Sequence, residues 1–139
     1  MSVSFEEPSE TLKNEIVSLR KELTNIREDL AVGTAYSSVV AIDSAGLHEL
    51  SVSLSQGENI PHAVDRIKRM LKLVELTTWP DELKTKSHDL GIVLTDLALA
   101  FDEHNKEKVK ELSPQMHAAY HRLCNSFYEW LHARNTNMA

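Results

Sequence analysis

The chain has 139 residues, of which 42% are hydrophobic and 26% are charged, and this composition excludes a disordered tail and allows one domain with its own core. Its formal net charge of −6 disfavours nucleic-acid binding, because that binding needs Lys and Arg to displace counterions from phosphates. The single cysteine, Cys124, excludes an intrachain disulfide and fits a reducing compartment.

Signals for secretion and for membrane insertion are not legible in the sequence. The N-terminal stretch MSVSFEEPSE is acidic and lacks the basic region and apolar core of a secretory signal. The longest weakly charged stretch, AVGTAYSSVVAI at 31–42, is too short and too polar to cross a bilayer. We therefore expect no membrane span and a soluble, intracellular protein located in the cytoplasm.

The first predicted element is a long helix that begins between Pro8 and Glu10. Proline suits the first helical turn, and a glutamate there interacts favourably with the positive end of the helix dipole. Apolar residues continue at helical spacing as far as Leu54, and SQGEN at 55–59 is the first strong stop. The pattern predicts either one long bent helix or two helices that break near Gly33.

Apolar residues in this first helix recur at alternating steps of four and three over the stretch 12–30. These residues are Leu12, Ile16, Leu19, Leu23, Ile26 and Leu30. Such spacing is the a and d pattern of a coiled coil, although it covers fewer than three full heptads. The seam therefore needs an apolar partner, either in this chain or in another.

The charges beside these apolar positions favour a second copy of the chain as the partner. The e positions are all basic and the g positions are all acidic: they are Lys13, Arg20 and Arg27, and Glu15, Glu22 and Asp29. In a parallel pair, Glu15 faces Arg20 of the second copy and Glu22 faces Arg27, whereas an antiparallel pair brings like charges together. We predict a parallel homodimer through residues 12–30, and the alternative is that the seam packs against its own bundle.

Three further helices are predicted downstream. One begins around Asn59 to Pro61, and TTWPDE at 77–82 starts the next, with Thr78 and Asp81 spaced as a capping box. HNKEK at 104–108 is a turn before the last helix, whose apolar spacing keeps its phase through Pro114. Pro114 therefore either kinks one helix or marks a restart capped by Ser113.

No strand periodicity or internal repeat is visible, so the predicted fold class is all-α. We expect an antiparallel bundle of four to five helices with a long N-terminal coiled-coil-like helix. The predicted organisation is a single helical domain over 1–139, with the heptad helix at 9–32 and the helical bundle at 34–134.

The last helix carries a stripe of metal-ligand side chains. His117, His121 and Cys124 are spaced i, i+4 and i+7, so they share one helical face, and imidazole and thiolate groups suit zinc or copper. The stripe lies off the apolar face centred on Leu123, so the alternative is a polar outer face that carries two histidines. A third or fourth ligand could come from His88 or His104, but the spacing selects neither of them.

Evidence for catalysis in the sequence is weak. Asp96 interrupts the apolar run LGIVLTDLALAF, but it is in line with Asp89 and Glu103 on a helix and is interpreted as solvated. No nucleophile grouping, phosphate loop, CxxCH or HExxH motif is legible.

The sequence thus predicts a non-enzymatic assembly module that self-associates through its N-terminal heptad helix and binds protein partners, without a cofactor. The alternative is a metal- or cofactor-binding helical bundle that uses the His/Cys stripe to hold zinc or another transition metal.

Overall fold

The computed structural model of this protein describes residues 9–137, and it confirms the predicted all-α bundle. The described residues form five α-helices and one short 3₁₀ helix, with no strand among them. In chain order these are α1 (Glu10–Ser44), α2 (Leu47–Ser55), α3 (Ala63–Leu76), the 3₁₀ helix (Asp81–Leu83), α4 (Lys84–Asp102) and α5 (Lys106–Asn137). Helix α4 packs against α3 and α5, and α5 also packs against α2.

Helix α1 begins where the sequence predicts. Ser9 is its N-cap, and the Ser9 hydroxyl accepts a hydrogen bond from the backbone N–H of Leu12 at 3.3 Å. This bond satisfies one of the N–H groups that the first helical turn leaves without a partner. The helix then continues for 35 residues through Gly33, which does not break it.

The break between the first two helices comes at Gly46 instead. Gly46 has a φ of 79°, a left-handed conformation that glycine adopts without steric penalty. Arg66 of α3 donates hydrogen bonds to the carbonyl oxygen of Ala45, from Nη2 at 2.5 Å and from Nε at 3.2 Å. A Cβ atom at position 46 would lie only 2.6 Å from Arg66 Nη2, so a larger residue there would displace the arginine side chain.

Among the described residues, no single helix is long and apolar enough to cross a membrane. Helices α1 and α2 reach that length and composition only as a pair, and the pair is bent by 42°.

The predicted capping box at the start of the fourth helix is wrong. The 3₁₀ helix that precedes α4 follows Pro80 and has no side-chain cap, so Thr78 does not serve as one. Trp79 turns inward instead, and its Nε1 donates a hydrogen bond to the carbonyl oxygen of Val74 at 2.9 Å. Burial of the indole with its N–H satisfied fixes this connection, and that tertiary contact overrides the local signal.

Helix α5 is one continuous helix that includes Pro114, so the proline does not mark a restart. The hydroxyl of Ser113 donates to the carbonyl oxygen of Val109 at 2.6 Å, which is a bond within the helix and not a cap. The carbonyl oxygen of Ser113 accepts a hydrogen bond from the buried hydroxyl of Ser51 at 2.8 Å. This hydrogen bond therefore joins α2 to α5 beside Pro114.

The hydrophobic core contains residues from all five helices but only from the second half of α1. Its largest fully buried side chains are Ile42, Leu47, Leu50, Ile67, Met70, Leu83, Leu90, Leu94, Leu97, Met116, Leu123 and Phe127. Full burial of one such side chain stabilises the fold by about 1.5–3 kcal/mol relative to an exposed position. The first buried residue of α1 is Ala35, so the part of α1 before it lies outside this core.

Candidate functional site

The seam of α1, defined as Leu12, Ile16, Leu19, Leu23, Ile26 and Leu30, is exposed along its whole length. Relative exposure within the seam runs from 38% at Ile16 to 63% at Leu19 and Leu30. Every residue from Asn14 to Leu30 is exposed. The seam is therefore not packed against the bundle of its own chain.

Four of the charged residues that flank the seam are also exposed and outside any ion pair of the described chain. Within residues 9–137, no ion pair of the chain involves Glu15, Arg20, Glu22 or Arg27. All four side chains are exposed. These two acidic and two basic groups therefore lie along the exposed part of α1, at the g and e positions of the heptad assignment.

The seam ends where α5 contacts α1. Arg134 of α5 donates to Asp29 Oδ1 from Nη2 at 2.7 Å and to Glu28 Oε2 from Nη1 at 3.1 Å. The guanidinium group also lies over the Trp130 ring, 5.8 Å from its centroid. The hydrogen bonds that Arg134 donates to Glu28 and Asp29 raise the pKa of its guanidinium above its ordinary value, against the opposing effect of burial, so the group is positively charged.

A shallow apolar groove continues the seam into the bundle. Ile26, Leu30 and Gly33 of α1 line it on one side, and Leu73 and Leu76 of α3 line it on the other. Leu76 is 74% exposed, the largest exposed fraction among the large hydrophobic residues of the described chain. The apolar surface of α1 therefore extends onto the end of α3.

A second feature is a group of three histidines on the surface between α2 and α5. We name His48, His117 and His121 the histidine cluster. Nε2 of His117 lies 2.7 Å from Nδ1 of His48 and 2.8 Å from Nε2 of His121. One potential ligand nitrogen from each ring lies within 4.8 Å of the other two. The cluster is the one group of three or more potential metal ligands found among the described residues.

Packing of the two helices explains why these rings converge. His117 and His121 are one turn apart on α5, so they lie on the same face. His48 comes from the first turn of α2, between the core residues Leu47 and Leu50, which are buried while His48 is exposed. The imidazole of His48 therefore lies beside the His117 ring, with ring centroids 4.5 Å apart.

The surroundings of the central ring of the cluster disfavour its protonation. Burial lowers the pKa of His117 below its ordinary value of 6.5, and the neighbouring His121 and His48 lower it further. His117 is half-buried, whereas the other two rings are exposed. The neutral imidazole, which is the form that binds metal ions, is thus favoured at the centre of the cluster.

The structure brings together two residues of the predicted His/Cys stripe and leaves the third apart. Cys124 is buried, and it is not part of the histidine cluster. Burial and the nearby Asp43 raise the pKa of the Cys124 thiol, while a hydrogen bond with Tyr120 opposes them. The Tyr120 hydroxyl in turn donates to the carbonyl oxygen of Val39 in α1 at 3.1 Å. Cys124 therefore lies in the contact between α5 and α1.

Sequence reasoning missed His48. It lies 69 residues before His117, and no spacing rule relates residues on different helices of a bundle. The interpretation of Asp96 as solvated is confirmed, because its side chain is exposed on α4.

Comparison of the chain with protein-family models, with curated proteins and with solved structures gives no match. Two surface features, the seam of α1 and the histidine cluster, carry the functional argument.

Proposed function

We propose that this protein is an assembly module that dimerises in parallel through the seam of α1 and presents its helical bundle to protein partners. The observation that carries the proposal is the exposure of the seam: six apolar residues at coiled-coil spacing are exposed on the part of the chain that the structure describes. A contiguous apolar surface of this kind is typical of an interaction site.

The stability of α1 itself supports the need for a partner. Residues 14–30 make up about half of the helix and have no buried side chain. An isolated helix of roughly this length is marginal in water, because most helical stability in proteins comes from packing of an apolar face. A second helix against the seam would supply that packing.

Charge complementarity selects a second copy of the chain as the occupant. Across a parallel pair, Glu15 and Glu22 of one copy face Arg20 and Arg27 of the other. Each of these side chains is exposed and has no ion pair within the described chain. An antiparallel pair would set basic groups against basic groups and acidic groups against acidic groups, so the charges oppose it.

The contacts of α5 and α3 define where the paired segment would end. Asp29 is the last g position of the repeat, and it is bound to Arg134 of its own chain. Beyond Leu30 the same face of α1 meets the groove that Leu76 of α3 lines. In a parallel dimer the two bundles lie at the same end of the pair, so the exposed Leu76 would lie near the second copy.

Sedimentation equilibrium of the wild type and two matched variants tests the proposal. Leu23→Asp places a charge in the middle of the seam, where pairing would desolvate it, and Leu99→Asp places the same charge on α4. Leu23 is 47% exposed and Leu99 is 53% exposed, so neither change removes a core contact. We expect a dimer for the wild type and for Leu99→Asp and a folded monomer for Leu23→Asp.

Two results would oppose the proposal. A wild-type monomer at tens of micromolar would mean that the seam does not bind a second copy, and a different protein would then be its occupant. If both variants were monomeric, the surface that pairs in the dimer would not be the seam. Circular dichroism of each variant is the control that tests whether the helical fold is retained.

A further inference from the structure

We propose that the histidine cluster is a binding site for one divalent transition-metal ion, which bridges α2 and α5. His48 would ligate through Nδ1, and His117 and His121 through Nε2. This proposal is independent of dimerisation through the seam of α1, because it rests on side chains of α2 and α5 that lie outside the seam.

The convergence of the three nitrogens is the first argument. The same atom, Nε2 of His117, faces both His48 at 2.7 Å and His121 at 2.8 Å. A neutral imidazole nitrogen carries either one proton or one lone pair, so this atom cannot donate a separate hydrogen bond to each neighbour. One cation in the middle of the three rings satisfies all three lone pairs together.

The distances leave room for such an ion after small ring rotations. Zinc–nitrogen bonds of about 2.0–2.1 Å place the ligand nitrogens of a tetrahedral site about 3.3 Å from one another. The two short contacts in the cluster therefore need to open by roughly half an ångström. His48 and His121 are exposed, so their rings have the freedom to make this adjustment.

The backbone that holds the three rings is fixed by buried contacts. Ser51, one turn after His48, binds the carbonyl oxygen of Ser113, one turn before His117. Leu47 and Leu50 are fully buried on either side of His48. The distance between the two helices is therefore set without a metal ion, which reduces the ordering that binding requires.

The ligand set determines the class of metal ion. Three imidazoles suit Zn²⁺, Cu²⁺ and Ni²⁺, whereas Ca²⁺ and Mg²⁺ prefer carboxylate and carbonyl oxygens. The cluster contains no carboxylate and no thiolate. Because two of the rings are exposed, the fourth position of a tetrahedral ion is open to water or to a group from another molecule.

Calorimetric titration of the tag-free protein with zinc chloride tests the site. We expect one zinc ion per chain and a loss of affinity of at least about tenfold in His48→Ala and in His121→Ala, because each removes one of the three ligands. His88→Ala is the matched control, since His88 is an exposed histidine on α4, and its affinity should equal that of the wild type. Zinc should also raise the melting temperature of the wild type but not of His48→Ala, because it binds only the folded site.

A second variant, Cys124→Ser, distinguishes the histidine cluster from the ligand set predicted from the sequence, which is His117, His121 and Cys124. If Cys124 were the third ligand, Cys124→Ser would weaken zinc binding and His48→Ala would not. Cobalt replaces zinc in such sites, and a thiolate ligand would give the cobalt protein a sulfur-to-metal charge-transfer band. We expect no such band and unchanged affinity in Cys124→Ser. Absence of zinc binding in the wild type, or equal binding in His48→Ala, would overturn the proposal.

Discussion

Arg134 in α5 donates a hydrogen bond to the carboxylate of Asp29 in α1 at 2.7 Å, although the two residues are 105 positions apart in the sequence. The same guanidinium also binds Glu28 and lies over Trp130, and its side chain is only 20% exposed. This contact fixes the C-terminal part of α5 to α1 immediately before Leu30, the last residue of the seam. It therefore separates the part of α1 that belongs to the bundle from the part that is free to pair.

Replacement of Arg134 by alanine should destabilise the bundle modestly. The two carboxylates are more than half exposed, and each pair of this kind contributes roughly 0.2–1 kcal/mol, so we expect the free energy of unfolding to fall by about 1 kcal/mol. Urea denaturation followed by circular dichroism measures this change. Arg122→Ala, an exposed arginine on the same helix, should leave the midpoint unchanged, and equal effects of the two changes would contradict the assigned contact.

Reversal of two charges beside the seam should weaken the dimer without dissolving it. Arg20→Glu together with Arg27→Glu leaves every apolar seam residue in place but sets Glu15 and Glu22 against like charges across the interface. Each exposed pair contributes about 0.2–1 kcal/mol, so the dissociation constant should rise moderately. The effect should shrink at high salt, because exposed pairs are screened.

The rescue variant makes this experiment specific. Adding Glu15→Lys and Glu22→Lys to the double reversal restores opposite charges across a parallel interface and should return the dissociation constant towards that of the wild type. Sedimentation equilibrium at low and high salt measures all three proteins. If the quadruple variant associates no better than the double variant, these charges do not face each other across the interface.

Zinc affinity at the histidine cluster should fall as the solution becomes acidic. Metal binding needs neutral imidazoles, and protons compete for the same lone pairs. Burial lowers the pKa of His117 below 6.5, so this ring keeps its lone pair in mildly acidic solution, where an ordinary histidine begins to take up a proton. Titrations between neutral pH and about pH 5 should therefore show progressive weakening. Affinity that is constant over this range would exclude imidazole ligands.

Much of the fold was predictable because helices depend on local periodicity. The heptad spacing from Leu12 to Leu30 and the apolar spacing of the last helix predict α1 and α5, and the structure confirms them. The position of the break between α1 and α2 was not predictable. Gly33 and Gly46 are both helix-weakening signals in the sequence, and the tertiary contacts at Gly46, where Arg66 binds the carbonyl oxygen of Ala45, are not visible in it.

The candidate metal site was only partly predictable, because spacing within one helix does not show which residues of another helix lie beside it. The i, i+4 spacing of His117 and His121 indicates a shared face, but His48 reaches them through the packing of α2 on α5. Cys124 was expected off the core face, yet it is buried because more than one helix packs against α5. The Tyr120 hydroxyl, which donates to the backbone of α1, shows that α1 also lies against α5 at this point.

Cysteine cross-linking tests the parallel pairing of two chains most directly. In a Cys124→Ser background, Leu12→Cys places a thiol at the first d position, where a parallel pair brings the two copies of residue 12 together. An antiparallel pair would bring residue 12 opposite residue 30 instead, so a mixture with Leu30→Cys gives the competing product. Leu99→Cys, on the exposed surface of α4, measures random collision. We expect rapid disulfide formation between two Leu12→Cys chains and no excess of the mixed product; preferential linkage of position 12 to position 30, or linkage no faster than that of Leu99→Cys, would contradict parallel dimerisation through the seam.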